Sequence, residues 1–388
     1  MVTSVTSYFS DLPDPRSPMG RRHVLSDMLT IAICAVICGA DGWVQVQEFG
    51  ESKREWFATF LELPHGIPAH DTFGRVFGLL DPDAFERCFM AWSAAMAGSS
   101  AGKLVSFDGK SLRHSFAHAW DKSGMAHLVS AFAGANRVVL GQLAVAHVRP
   151  GEGDEERRGN EITTLPKLLE LLDLRGATVT IDAIGCQRAV AEKVLSRGAD
   201  YVLCVKDNQP TLRAKAKALL DEAVLEGVQG ICGGPGGFYQ EVDGDHGRIE
   251  TRRVWATDQV DSLGKLLTQW PELRSIAAVE RVREVIGGKT ETERHYYISS
   301  LPGCDARRMA EAVRGHWGIE NRLHWHLDVS FGEDDCRIRK DHGGENFSRL
   351  RRISLNLLQK EATLERGIKT KRLRAGWDHD YLLKVLTG

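Results

Sequence analysis

Three short apolar runs limit the possible folds of this chain more than anything else in it: Leu104-Val-Ser-Phe-Asp108, Ala177-Thr-Val-Thr-Ile-Asp182 and Tyr201-Val-Leu-Cys-Val-Lys206. Each is too short for a helix and reads as a buried strand. Segments of helical periodicity, Glu161 to Leu172 and Cys186 to Ser196, alternate with them, and His127 to Ala133 and Val138 to Val148 read as two more strands. Alternation of this kind predicts an α/β domain with a mixed sheet. In such sheets the residues at the carboxyl ends of strands line the crevice where ligands bind. Asp108 and Asp182 occupy that position, each before a small-residue turn (Asp108-Gly109, Asp182-Ala183).

The flanking regions have a different character. Up to about Gly102 the pattern is helical: Leu25 to Cys38, Trp43 to Phe60, a helix opening at His70 with Asp71 as its cap, and another opening at Asp81-Pro82. That joint permits a helix-turn-helix with Thr72 and Arg75 near its exposed start. A small bundle packed on the rest of the chain fits the same pattern. Small polar residues from Ala97 to Lys103 mark a linker, so the expected division is a helical domain at 1–98 and an α/β domain at 103–388. The charged loop Glu152 to Arg158 reads as a solvated connection. Within the second domain, Gly-rich loops (Gly230 to Gly237) and β-prone segments at Arg248 to Trp255, Ser275 to Val285 and Glu293 to Ile298 predict a β-rich insertion at 227–300.

Composition narrows the partners. A chain of 388 residues with net charge −2 is not uniformly basic, so any nucleic-acid surface must be local. Arg337 to Arg374 holds twelve Lys or Arg against four Asp or Glu, with Arg349, Arg351 and Arg352 at the start of a helix that carries Ile353, Leu355, Leu357 and Leu358. This stretch is the expected source of salt-sensitive affinity for DNA. Eight cysteines form no CxxC pair, and Cys34 and Cys38 read as core packing, so reduced thiols and a cytoplasmic location are expected. The strongest apolar run, Met28 to Cys38, falls short of the ~20 residues that span a bilayer. No leader precedes it, so neither export nor a membrane partner is expected, and the blocks running on from a starting methionine suggest a full-length chain.

A third carboxylate stands on a late segment, His316-Trp-Gly-Ile-Glu320-Asn-Arg-Leu-His324-Trp325, which reads as a helix capped by Asp305. His316, Glu320 and His324, four apart, share one face; Trp317 and Trp325 read chiefly as core residues. Three carboxylates meeting at a sheet edge repel one another unless cations neutralise them. Hard oxygen donors favour Mg²⁺ or Mn²⁺. Two such ions, roughly 3.5–4 Å apart, activate a water or 3′-hydroxyl for phosphodiester attack. Lys110, Arg113, Lys206, His316 and Arg322 are the candidates for contacts to flanking phosphates. A competing reading takes His316, Glu320 and His324 as ligands of a transition metal such as zinc in an unrelated hydrolase, without a His-Glu-x-x-His motif to support it.

Asp108-Gly-Lys-Ser-Leu-Arg113, Asp182-Ala-Ile-Gly-Cys-Gln187 and His316-Trp-Gly-Ile-Glu320-Asn-Arg-Leu-His-Trp-His-Leu-Asp328 resemble the three signature blocks of the ISAs-type (H-repeat-associated) insertion-sequence transposases of the DDE superfamily. Asp11-Leu-Pro-Asp-Pro-Arg16, His70-Asp-Thr-Phe-Gly-Arg-Val-Phe77 and Gly159-Asn-Glu-Ile-Thr163 match as well, so the resemblance spans nearly the whole chain. It implies an RNase H-like catalytic core with a β-rich insertion, Mg²⁺ held by Asp108, Asp182 and Glu320, and cleavage and strand transfer at element ends in prokaryotic cytoplasm. Target DNA and self-association in a synaptic complex follow from the same likeness. An immobilised or domesticated derivative that grips DNA without cutting is the alternative. The chain departs from the Tyr-x2-Arg-x3-Glu-x6-Lys pattern of related transposases: Val313, His316 and Leu327 stand at the places of the tyrosine and the two cations, with Arg314, Arg322 and His324 nearby as substitutes.

Overall fold

Among the described residues nine strands form: β1 (Leu104–Ser111), β2 (His127–Ala133), β3 (Val138–Ala144), β4 (Thr178–Ile181), β5 (Asp200–Val205), β6 (Phe238–Asp245), β7 (Arg248–Thr257), β8 (Ser275–Val285) and β9 (Thr290–Ser299). The computed structural model describes residues 5–114, 126–145, 160–226, 237–245, 247–303 and 305–387. The expected end of the strand at 146–148, the charged loop at 152–158, Gly159 and the Gly-rich loop at 230–236 lie outside them.

The chain divides into two compact units. A sheet unit takes residues 100–108 and 161–319, and a helical unit takes 1–99, 109–160 and 320–388. In the sheet unit the strand order is β1-β4-β5-β9-β8-β7-β6. β1, β4 and β5 run parallel. The helix Arg188–Ser196 supplies the crossover that a parallel connection from β4 to β5 requires. β9 then pairs antiparallel with β5, and β8, β7 and β6 follow as an antiparallel meander. The residues expected as an insertion therefore lengthen the same sheet. β6 escapes sequence reading because Phe-Tyr-Gln-Glu-Val-Asp-Gly-Asp carries few apolar residues to alternate. The helix Ala306–Ile319 lies on this sheet, its Ala306, Met309, Ala310 and Val313 packed with Val202, Val254, Ala256, Ala277 and Val279.

In the helical unit, the helix Leu25–Cys38, buried from Asp27 to Ile37, packs on the helix Gly343–Lys360. Trp43 stacks on Phe77 and meets Phe347 edge-on. The expected helix from Trp43 to Phe60 is broken at Lys53 into Trp43–Ser52 and Arg54–Phe57. The helix expected to open at Asp81-Pro82 does so, and Asp81 caps it, accepting from the amides of Asp83 at 2.9 Å and Ala84 at 3.4 Å. Asp71 does not: the helix begins at His70, whose amide donates instead to Gln47 Oε1 at 2.7 Å. Arg75 is exposed on that helix. No single helix among the described residues is long and apolar enough to cross a membrane.

Candidate active site

Phe107 on β1 pairs with Ile181 on β4, so Asp108 and Asp182 are the next residues along two adjacent parallel strands. Strands so paired lie about 4.8 Å apart. β4 stops at Ile181 and the chain turns through Ala183–Gly185. That turn folds tightly onto the strand it leaves: a Cβ on Gly185 would sit 2.2 Å from Ile181 Cγ2. The loop after β5 braces it, with Asn208 donating to the Ala183 carbonyl at 2.6 Å and Gln209 to that of Cys186 at 3.0 Å. Lys206, at the end of β5, pairs with Asp182 at 3.3 Å, and both side chains are 48% exposed. Burial pushes the neighbouring Cys204 thiol up to about 11, with Asp182 adding to the effect, so it stays protonated. β1 itself does not turn after Asp108, as the Gly109 signal suggested; it continues to Ser111.

The helix Ala306–Ile319 leads into the third candidate carboxylate, Glu320. Asp305 caps it, accepting from the Arg308 amide at 2.9 Å. His316 Nδ1 lies 3.1 Å from Thr180 Oγ1 on β4, and Glu320 follows one helical turn later, directly after Ile319. There the α-helix gives way to π-helical turns at Glu320–His324 and His326–Ser330. Such wide turns are rare and gather at functional sites. They replace the single α-face expected for His316, Glu320 and His324. His324 Nδ1 still lies 3.6 Å from Glu320 Oε2, the imidazole buried and the carboxylate about half exposed. Trp317 and Trp325 are 53% and 52% exposed, which corrects their reading as core residues.

The cations expected to contact DNA divide by burial. Lys206 is open to solvent, and Arg113 is more so, although it pairs with Asp334 at 3.1 Å. Arg322 is exposed and reaches the Gly134 carbonyl at 3.5 Å. His316 is half-buried and turned toward Thr180. Arg314, named as a substitute cation, pairs with Glu241 and Asp243. Lys110 is 8% exposed and ion-paired with Asp328 and Asp334, which corrects its reading as a phosphate contact. Arg351 and Arg352 are also corrected: both are fully buried, with Arg352 bonded to Glu333 at 2.8 Å, and a guanidinium enclosed in this way presents no charge to a duplex. Arg349 beside them bonds Glu86 at 2.5 Å. A charge count that begins at Arg337 misses these partners. Glu333 stands just before it, and that acid beside the basic stretch is the sequence signal that part of its charge is compensated internally.

A sheet edge with adjacent aspartates, followed by a helix that ends in a glutamate, defines a class of acid-bearing α/β proteins, and comparison with known proteins narrows it. Residues 100–357 match the model of the Transposase DDE domain, and residues 6–93 match the one described as DDE_Tnp_1-associated. The chain is 36% identical over 393 residues to the H repeat-associated putative transposase YhhI of Escherichia coli K12, covering 100% of this chain and 98% of YhhI. It is 36% identical over 387 residues to the putative transposase YncI of Escherichia coli O157:H7, covering 99% and 95%. A piggyBac transposase synaptic complex with hairpin DNA is similar at a TM-score of 0.36 and 11% identity, over 97% of this chain and 81% of that one, too distant to argue from. The chain belongs to the DDE transposase family. Its relatives make it a transposase of the insertion-sequence kind.

Proposed function

We propose that this chain cuts and joins DNA at the ends of its own element, with Asp108, Asp182 and Glu320 holding Mg²⁺ or, in its place, Mn²⁺. The observation that supports this most is the β1–β4 register, which sets two aspartates at one level of adjacent parallel strands. Two carboxylates one strand spacing apart repel each other, and a cation between them relieves that repulsion. Lys206 pairs with Asp182, and the exposure of Asp182 leaves it reachable by an ion from solvent. The donors are hard oxygens, which suit Mg²⁺ and Mn²⁺ better than softer metals. When bound, such ions activate the attacking water or 3′-hydroxyl and stabilise charge on the leaving oxygen.

The chain's own cations then hold the duplex. Arg113, Lys206 and Arg322 are the exposed candidates for phosphate contacts, which fix register without reading bases. Element ends and target DNA are the partners of this reading, with self-association to bring two ends together. Asp108→Ala, Asp182→Ala and Glu320→Ala should each abolish Mg²⁺-dependent nicking of a duplex that carries the element's terminal sequence. Circular dichroism and most DNA affinity should survive. Persistent nicking, or loss that accompanies unfolding, overturns the assignment, and a tightly held zinc would point to the transition-metal reading.

A further inference from the structure

One layer below the two aspartates lies a chain of three polar side chains. Ser106 and Thr180 are paired residues on β1 and β4, each two positions before its aspartate. Side chains two apart on a strand share a face. Both hydroxyls are buried, at 0% and 2% exposure. Thr180 Oγ1 donates to Ser106 Oγ at 3.0 Å, and His316 Nδ1 lies 3.1 Å from Thr180 Oγ1. A hydroxyl can donate one hydrogen bond and accept others, so Thr180 Oγ1 serves Ser106 and His316 at once. The helix reaches this depth because residue 315 is glycine, where a Cβ would stand 2.1 Å from Leu104 Cδ2 on β1.

We infer that Ser106, Thr180 and His316 are positioning residues that fix the height of the Glu320-delivering helix against the two aspartate strands. The inference rests on the proposed metal role of Asp108, Asp182 and Glu320. Each of those acids stands one strand repeat or one helical turn from a member of the chain. The apolar contacts of Met309 and Val313 with the sheet are non-directional and tolerate sliding. A slip of one residue moves the helix by about 1.5 Å, enough to break the His316–Thr180 bond and strand buried polar atoms, which is costly. The hydrogen-bonded chain thus has one register in which it is satisfied. A phosphate-contacting His316 would need the opposite arrangement, with its ring turned to solvent.

The test measures Mn²⁺ binding to the full chain without DNA, by electron paramagnetic resonance, alongside single-turnover nicking. His316→Ala and Thr180→Val remove the chain, whereas His316→Asn keeps an amide near the place of Nδ1 and Thr180→Ser keeps the hydroxyl. Groups that orient metal ligands are worth about 10- to 100-fold in affinity, so the first two variants should weaken Mn²⁺ binding by about tenfold or more. The second two should recover most of it, and His316→Lys should behave like His316→Ala. Nicking restored by His316→Lys and not by His316→Asn would overturn positioning in favour of phosphate contact. Wild-type Mn²⁺ affinity in both His316→Ala and Thr180→Val, with binding lost in Asp182→Ala, overturns this inference and leaves the metal site standing. Undiminished binding in Asp182→Ala overturns both.

Discussion

Ion pairs occur in both units, but the helix Gly343–Lys360 and the aspartate edge of the sheet use them in opposite ways. On the helix, Arg349 and Arg352 are completely enclosed and bonded to Glu86 and Glu333. Arg351, equally enclosed, has its guanidinium over the Phe347 ring at 4.5 Å and, among the described residues, no hydrogen-bond partner on any of its three nitrogens. At the sheet edge, Asp182 and Lys206 meet at 3.3 Å and are half exposed. An enclosed pair cannot surrender one member without leaving a naked charge in a medium that solvates it poorly. A solvated pair is worth little and can exchange its partner for an ion or a phosphate. Access to water, more than sign or sequence density, decides which charges are available for chemistry.

The contrast is open to direct attack. Arg352→Met should cost about 3–5 kcal/mol by removing the cation bonded to buried Glu333, read as a lowered urea midpoint, while Lys206→Met at the sheet edge should cost under about 1 kcal/mol. Equal losses would erase the distinction. A smaller effect concerns pH. Burial pushes the Glu333 carboxyl up, but Arg352, Arg351 and Lys110 outweigh it and hold the group below its ordinary 4.5. A carboxyl depressed on folding contributes stability that is complete above about 4.5 and is lost as pH falls through the folded value. Glu333→Gln should therefore be less stable at neutral pH and lose less on acidification below 4.5. Urea unfolding from pH 7 to pH 3 measures both, and parallel curves would count against the pair. The smallest effect is on DNA. Arg322→Ala should reduce the salt dependence of binding by about one unit of slope, uniformly across sequences. An unchanged slope would remove Arg322 from the DNA surface.

Sequence patterns expose some of this molecule and hide the rest, for reasons that can be traced to particular residues. β1, β4 and β5 are legible because strands buried in a parallel sheet must be apolar throughout, and that makes the charge ending each one conspicuous. The Asp81 and Asp305 caps are legible because capping is local. The fate of the basic helix is not local: Arg349 finds Glu86 from 263 residues away. No window along the chain brings the two together. Trp317 and Trp325 mislead because an aromatic next to apolar neighbours looks like core, whereas both stand half exposed. Ser106 and Thr180 pass unnoticed because a hydroxyl inside a β-prone run reads as filler. Their one signal is shared spacing, two residues ahead of each aspartate.

The pairing of β5 with β9 bears on how this transposase can be shortened. Val202 to Val205 give their outer hydrogen bonds to Tyr296 to Ser299, the far end of the segment that sequence patterning marks as inserted. Excising that segment would strip β5 of its neighbour and bare a row of amides and carbonyls beside the aspartates. Unpaired edges of this kind recruit strands from other molecules. Trimmed versions of this protein should precipitate for that reason alone, whatever their capacity to handle DNA.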